Sequence, residues 1–390
     1  MNERPKILFF ITEDWYFTSH RLPIAQACKA LGWEVVVATS VGMHAERLEA
    51  EGFRLIPISM RREGRNPYTE FRSILEIAQI LKKEKPTILH QVGMKPVVYG
   101  SLASMLFRPR SVVNALAGMG YIFTSSSFSV SIVRTALKWC LRLCINRKNS
   151  CLIVQNNDDI EVALHGRLVE PHNLFLIRGS GVDLDEYKSS AVPAASENSG
   201  SGKEVIIALV CRMLRDKGVY ETVFAARMLK DAGIPVRVWL AGLPDPKNPS
   251  SLDEDTLACW TQEGCIEWLG EVNDIPALWS KADIAVLPSY REGMPRALLE
   301  AAACSKPIVT TDVPGCREVV EQGVNGLLVP RGDWVELARS LKTLAVDPVM
   351  CRKMGAASRS KAELEYSIVS VINKTLNIYH QTAGIKSESI

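Results

Sequence analysis

The sequence predicts an α/β protein with two parallel, doubly wound sheets. Three observations predict it. Short apolar runs of four to six residues alternate with helix-length amphipathic stretches. The alternation comes in two series, separated by the Ser-, Ala- and Gly-rich stretch SSAVPAASENSGSGKE at 189–204. The 390 residues suit two to three domains of roughly 150 residues each, long enough for sizeable cores.

The first series opens with an apolar strand, Lys6 to Ile11. A helix is expected from His20 to Leu31, stopped by Gly32. Strand Glu34 to Ala38, helix Met43 to Glu51 and strand Arg54 to Ile58 follow. A helix around Tyr68 to Lys83 then precedes strand Thr87 to Gln91. In the second series, strands are expected at Val205–Val210, Val236–Ala241, Ile266–Leu269, Ile284–Pro288, Ile308–Thr311 and Gly326–Val329. Helices fit between them, notably Tyr220 to Asp231 and Pro295 to Cys304. Leu364 to His380 is amphipathic and helical, and the tail IKSESI is expected to fray. Two Rossmann-like halves are the economical reading: 1–188, a linker 189–204, and 205–363, with the last helix in 364–390 returning to the N-terminal domain.

Composition narrows the function. At 47% hydrophobic and 23% charged, the chain is not disordered, collagen-like or a pure coiled coil. Its 46 basic and 43 acidic residues leave a net charge of only +3, which names no partner. Ten cysteines show no CxxC pair and read as small buried hydrophobes in a reducing cytoplasm. The apolar stretch Ile7 to Ile11 runs straight into Glu13 and Asp14, unlike a signal peptide. No apolar run approaches the ~18 residues of a membrane span. Charge is uneven all the same: no acidic residue occurs between Glu84 and Asp158. Arg134, Lys138 and Arg142 recur every fourth residue there and share one helix face. Such a helix either lies on an anionic leaflet, with Arg61, Arg62 and Arg65 adding to it, or is buried with one solvated basic stripe. Nucleic acid is not indicated, because no recognised motif occurs and aromatics are not interleaved with the basic residues. Metal binding is not indicated either. The six histidines are dispersed, and Asp183/Asp185 and Asp253/Asp255 read as solvated loop carboxylates.

Chemistry concentrates in the second half. LPSYREGMPRALLE (287–300) runs from a strand end through a loop into an apolar helix. Pro295 suits the first helical turn, so the amides near Gly293 and Met294 mark a helix N-terminus, a natural anion site. Glu300 is the only carboxylate of that helix. An ionised carboxylate among apolar neighbours needs a hydrogen-bonding partner such as a ribose diol; the other reading has Glu300 solvated at a helix edge and Glu292 in an ordinary polar loop. CRMLRDKG (211–218) also follows a strand and precedes a helix, which puts Arg212 and Lys217 on the same strand-end rim. A guanidinium fork, an ammonium and a helix N-terminus suit a leaving diphosphate; a basic strand-end loop can also simply be solvated.

These residues resemble the retaining glycosyltransferases of family 4, whose GT-B fold sets two Rossmann-like domains with parallel sheets facing across a cleft. The paired-glutamate signature E-x7-E is present as Glu292 and Glu300. CRMLRDKG is similar to the family's phosphate-binding segment, with Cys211 where a Gly is usual, and PIVTTDVPGCREVVEQGVNGLLVP (307–330) is typical of the family. The resemblance implies that Arg212 and Lys217 hold the diphosphate and that Glu292 contacts the donor sugar at the reaction centre. Gly293, Met294 and Pro295 would shape the donor pocket and Glu300 would bind ribose, with a nucleotide sugar as substrate, no cofactor and no metal. ITEDWYFTSHRLPIA (11–25), HQVGMKPVVYG (90–100) and NALAGMGYIFTS (114–125) resemble bacterial enzymes building undecaprenyl-linked O-antigen, capsule or N-glycan intermediates, nearest the diphospho-undecaprenol N-acetylgalactosaminyltransferases. That likeness puts Ser19, His20, Lys95, Gly118 and Gly120 on the acceptor side. It also implies a lipid-linked saccharide acceptor and a cytoplasmic enzyme peripheral to the inner leaflet. Each of these residues keeps another reading: His20 as a helix-start residue, Lys95 as a solvated cation, the glycines as turn formers. Many family members carry a His where Ala117 and Gly118 stand here. The alternatives are a sugar-nucleotide 2-epimerase of the same architecture, a glycosyltransferase with a soluble acceptor, and a catalytically dead binding protein.

Overall fold

The computed structural model describes residues 4–61, 66–116, 118, 128–188 and 204–385, with backbone alone for 128–136. Arg62, Arg65, Ala117, Gly120, the stretch 189–203, the tail 386–390 and the side chain of Arg134 lie outside the described residues. The chain forms two compact units: residues 1–180 with 369–390, and residues 181–368.

The first unit runs β1 (Lys6–Glu13), α1 (Asp14–His20), α2 (Leu22–Ala30), β2 (Glu34–Ser40), α3 (Ala45–Ala50), β3 (Arg54–Pro57), α4 (Pro67–Glu84), β4 (Ile88–Val92), α5 (Met94–Leu106), β5 (Ser111–Ala115), α6 (Phe128–Ile145), β6 (Ser150–Val154), α7 (Asn157–His165) and β7 (Leu174–Leu176). Its strands form one parallel sheet in the order β3-β2-β1-β4-β5-β6-β7. Both faces of β1 are buried, Ile7, Phe9 and Ile11 in one cluster and Leu8 and Phe10 in another. Helices cover both faces of such a sheet, which is why its central strands read as unbroken apolar runs. The single helix expected over His20–Leu31 is two. Asp14–His20 makes a separate short helix, and Pro23, which needs no N–H partner, sits in the first turn of a new one starting at Leu22.

The second unit runs β8 (Val205–Val210), α8 (Val219–Asp231), β9 (Val236–Ala241), α9 (Glu254–Gln262), β10 (Glu267–Gly270), α10 (Ile275–Lys281), β11 (Ile284–Leu287), α11 (Arg296–Ala303), β12 (Ile308–Thr311), α12 (Cys316–Val319), β13 (Gly326–Val329), α13 (Trp334–Val346) and α14 (Pro348–Lys361). Its parallel sheet has the order β10-β9-β8-β11-β12-β13. A π-helical turn at Ala362–Tyr366 leads into α15 (Ile368–Ala383), which packs Val371, Leu376, Ile378 and Tyr379 into the first unit's core. In each sheet the strand order reverses beside the first strand, at β1/β4 and at β8/β11. Ligands of open parallel sheets bind beyond the carboxyl ends of the strands at that reversal.

Candidate active site

In the second unit the reversal point is built by the segments leaving β8 and β11. After β8, Cys211 to Leu214 lead to a single 3-10 turn, Arg215–Lys217, which Gly218 ends with a φ of 73°. A Cβ at Gly218 would lie 2.2 Å from the Pro288 carbonyl oxygen, so this backbone presses directly on the segment leaving β11. The Tyr290 amide donates to the Asp216 carbonyl at 2.9 Å and joins the two loops. Lys217 Nζ then donates to Glu292 Oε1 at 2.5 Å, and the Ser289 hydroxyl donates to the same oxygen at 2.9 Å.

Both ends of that pair are shielded, with side-chain exposures of 21% for Lys217 and 10% for Glu292. Burial by itself would lower the lysine pKa. The charge of Glu292 and its hydrogen bond outweigh burial and hold the ammonium above its ordinary value. Lys217 therefore remains a cation, with one of its three donors on Glu292. Arg212 is more open; its Nη1 donates to Asp245 Oδ2 at 2.5 Å. The charges of Lys217, Glu292 and Arg212 all reach the Cys211 thiol, which burial pushes up to about 12. Arg212, Lys217 and Glu292 thus share one rim.

Two further glycines set that rim. Gly242, with a φ of 134°, would place a Cβ 2.0 Å from the Cys211 carbonyl oxygen. Gly315, with a φ of 78°, would place one 2.4 Å from the Gly293 oxygen and 2.7 Å from that of Glu292. Neither was expected. The traces in the sequence are a lone Gly directly after β9, in VRVWLAG, and a Pro-Gly turn dipeptide a few residues after β12, in TDVPG.

Met294 is buried in the core, and Pro295 is the N-cap of α11 rather than a residue of its first turn. One turn on, Glu300 is 6% exposed, so the solvated reading fails. Arg296 Nε donates to its Oε1 at 2.7 Å, and Tyr187 hydrogen-bonds it as well. Burial raises the Glu300 pKa, and the Arg296 charge opposes that only in part. The required hydrogen bonds thus come from the protein itself, through two residues the sequence did not single out.

In the first unit the acceptor-side candidates also gather at strand ends. Ser19 and His20 close α1, directly after β1. Ser19 Oγ lies 2.6 Å from His20 Nδ1, and His20 stacks on Tyr16 with centroids 4.1 Å apart. Lys95 lies in the first turn of α5, after β4. It is not a solvated cation, because its Nζ donates to Glu70 Oε1 at 2.9 Å and to the Arg61 carbonyl at 3.0 Å. Gly118 follows β5 with a φ of 88°. Asp183 and Asp253 are not merely solvated either: Asp183 accepts from the amides of Asp185 and Glu186, and Asp253 caps α9 by accepting from the Thr256 amide. Among the described residues, no helix is long and apolar enough to cross a membrane.

Comparison with known proteins bears on the family and the fold. Residues 6–156 match the family model described as glycosyl transferase 4-like, and residues 204–347 match glycosyl transferases group 1. The chain is 26% identical over 364 residues to the N,N'-diacetylbacillosaminyl-diphospho-undecaprenol alpha-1,3-N-acetylgalactosaminyltransferase of Campylobacter jejuni, covering 92% of this chain and 94% of the relative. It is 27% identical over 320 residues to the UDP-Gal:alpha-D-GlcNAc-diphosphoundecaprenol alpha-1,3-galactosyltransferase of Escherichia coli, covering 80% and 79%. Among solved structures, Anabaena HepE in complex with UDP matches with a TM-score of 0.74 at 20% identity, covering 96% of this chain and 100% of that one. At that identity the structural likeness establishes the fold, which is GT-B. With a glycosyl transferase 4-like domain followed by a group 1 domain, the chain belongs to the family 4 glycosyltransferases.

Proposed function

We propose that this glycosyltransferase moves a hexose or N-acetylhexosamine from a UDP-sugar to a saccharide carried on undecaprenyl diphosphate, with retention of anomeric configuration, in surface polysaccharide or glycan synthesis. The observation that carries the reading is the shielded Lys217–Glu292 pair where the strand order reverses, beside the start of α11. The diphospho-undecaprenol substrates named for the Campylobacter and Escherichia relatives support the acceptor class. The UDP in the HepE complex supports the donor class.

In this mechanism the bond between the anomeric carbon and the diphosphate breaks, and charge develops on the departing phosphate oxygen. The remaining N–H donors of Lys217, the Arg212 guanidinium and the amide end of α11 stabilise that charge without needing to reorganise. Glu292 orients the donor sugar over a surface shaped by Gly293, Met294 and Pro295, and Glu300 takes the ribose diol. The acceptor hydroxyl attacks the same face of the sugar and gives its proton to the leaving phosphate oxygen. No protein base is then required. Ser19, His20, Lys95, Gly118 and Gly120 serve the acceptor.

Purified enzyme, UDP-N-acetylgalactosamine or UDP-galactose, and a lipid diphosphate-linked sugar should give an extended lipid-linked product. NMR of the new linkage should show the donor's anomeric configuration. Lys217→Ala and Glu292→Ala should each lower transfer by about 10²–10³-fold with the fold intact; full turnover in both would reject the site. Release of an altered monosaccharide without acceptor would favour the epimerase reading instead.

We further propose that the enzyme is peripheral to the cytoplasmic membrane face through α6. Trp139 and Leu143 are 61% and 65% exposed on this helix, and the Arg142 guanidinium lies 5.7 Å from the Trp139 ring centroid. Exposed aromatic and aliphatic groups among cations suit an anionic leaflet. Co-sedimentation with vesicles containing phosphatidylglycerol should fall in the double variant Trp139→Ala/Arg142→Glu, while turnover of a short-chain, water-soluble acceptor is unchanged.

A further inference from the structure

The loop between β9 and α9, residues 242–253, is fastened along the segment that carries Arg212 and Lys217. The Met213 amide donates to the Leu243 carbonyl at 3.0 Å, the Arg215 amide to that of Ser250 at 2.8 Å, and the Leu252 amide to that of Met213 at 2.9 Å. Leu214 and Ser251 form an isolated antiparallel bridge. The loop is braced internally as well. The Asp245 amide donates to Ser251 Oγ at 2.9 Å, the Asn248 amide to the Asp245 carbonyl at 2.7 Å, and the Ser250 amide to Asn248 Oδ1 at 2.9 Å. The backbone of Asp245 is therefore fixed relative to that of Arg212.

From this frame the Asp245 carboxylate accepts from Arg212 Nη1 at 2.5 Å, with side-chain exposures of 27% for Asp245 and 36% for Arg212. A partly exposed ion pair of this kind adds little to stability. Its effect is on where the cation points. A long arginine side chain otherwise samples many rotamers, and ordering it when a ligand arrives costs affinity. Held beforehand on Asp245, the planar fork faces one direction. A guanidinium has five N–H donors, so it can hold a carboxylate and a phosphate at the same time.

We infer that Asp245 is a positioning residue that aims Arg212 at the diphosphate of the donor. The inference rests on the proposed role of Arg212 in receiving that group. Asp245 acts through Arg212 and makes no contact of its own with the reacting atoms. Its negative charge also repels a diphosphate, but that repulsion acts across the width of the guanidinium at a partly solvated rim, where it is screened. Preorganisation of the fork outweighs it, so removing the carboxylate weakens diphosphate binding rather than strengthening it.

The test is a double-mutant cycle on UDP affinity, read by calorimetric titration of the full chain. Arg212→Ala should weaken UDP binding by about tenfold and Asp245→Ala by about fivefold. Asp245→Asn keeps an oxygen for Nη1 and should stay within about twofold of the unmodified protein. In the Arg212→Ala background, Asp245→Ala should cause no further loss. Should Asp245→Ala not fold, Asp245→Ser, too short to reach Nη1, takes its place in the cycle. Unchanged or tighter UDP binding in Asp245→Ala, beside a loss in Arg212→Ala, overturns the inference alone. So does an undiminished loss in the Arg212→Ala background, which would make Asp245 a support of its loop and nothing more. Unchanged UDP affinity in Arg212→Ala removes the proposed role of Arg212 and overturns the inference with it.

Discussion

The two strand-order reversals of this chain share one topology and carry different chemistry. At β8/β11 the loops touch backbone to backbone through Gly218, and their side chains converge, with Lys217 on Glu292. At β1/β4 the polar groups are tied off separately, Ser19 to His20 and Lys95 to Glu70. A doubly wound sheet thus offers a place for chemistry without specifying it. What distinguishes the second reversal, and carries its proposed role as the donor site, is a short set of residues that hold charge against burial.

The contrast breaks most severely if Lys217→Ala and Glu292→Ala leave the enzyme active. Each should lower kcat by about 10²–10³-fold with an unchanged far-UV circular dichroism spectrum, as loss of a preorganised charged group does. Next in size is Gly315→Ala. Its added methyl meets the carbonyls of Glu292 and Gly293, so the loop must shift, and kcat/KM should fall by about 10–100-fold in steady-state kinetics.

Two buried carboxylates sharpen the comparison. Glu84 in the first unit is held below the ordinary carboxylate pKa by its hydrogen bond to Arg54. Its stabilisation is present above the unfolded value of about 4.3 and is lost as pH falls through the lower folded value. Glu300 in the second unit is raised by burial. Its contribution is fully present below the unfolded value and is lost as pH rises through the higher folded one. Glu84→Gln should therefore lower the Tm at pH 7 by about 2–4 °C, a loss of about 1 kcal/mol, and flatten the acid limb of the Tm–pH curve. Glu300→Gln should keep or raise the Tm at pH 7 yet raise the donor KM by about tenfold. A fall in Tm with an unchanged KM would make Glu300 structural. The smallest expected effect is that of Lys95→Met: less than about threefold on UDP affinity by titration, with the change confined to the acceptor KM.

The sequence was most legible where the physics is local. Val205–Val210, Val236–Ala241, Ile308–Thr311 and Gly326–Val329 read as strands at their observed limits. Each is a short apolar run flanked by turn-forming or polar residues. Strands β5, β6 and β7 escaped notice. SVVNA and SCLIV are five residues long and open on Ser, while LFL has only three residues, too few for a period to show. Lys217 and Glu292 could be singled out because each follows an apolar run and precedes a helix. Asp245, Tyr187 and Gly315 could not, because their roles arise from neighbours distant in sequence that only the folded sheet brings close. Glu300 shows both sides. The need for a partner was evident from its apolar helix, but the partners themselves, Arg296 and Tyr187, were not.

Calorimetric titration of UDP into the unmodified protein and into Lys217→Ala asks most simply whether the β8/β11 loops receive a diphosphate. A saturable 1:1 isotherm that weakens at least about tenfold in the variant, a loss of about 1.4 kcal/mol, is the expected result. Equal UDP affinity in the two proteins would contradict it.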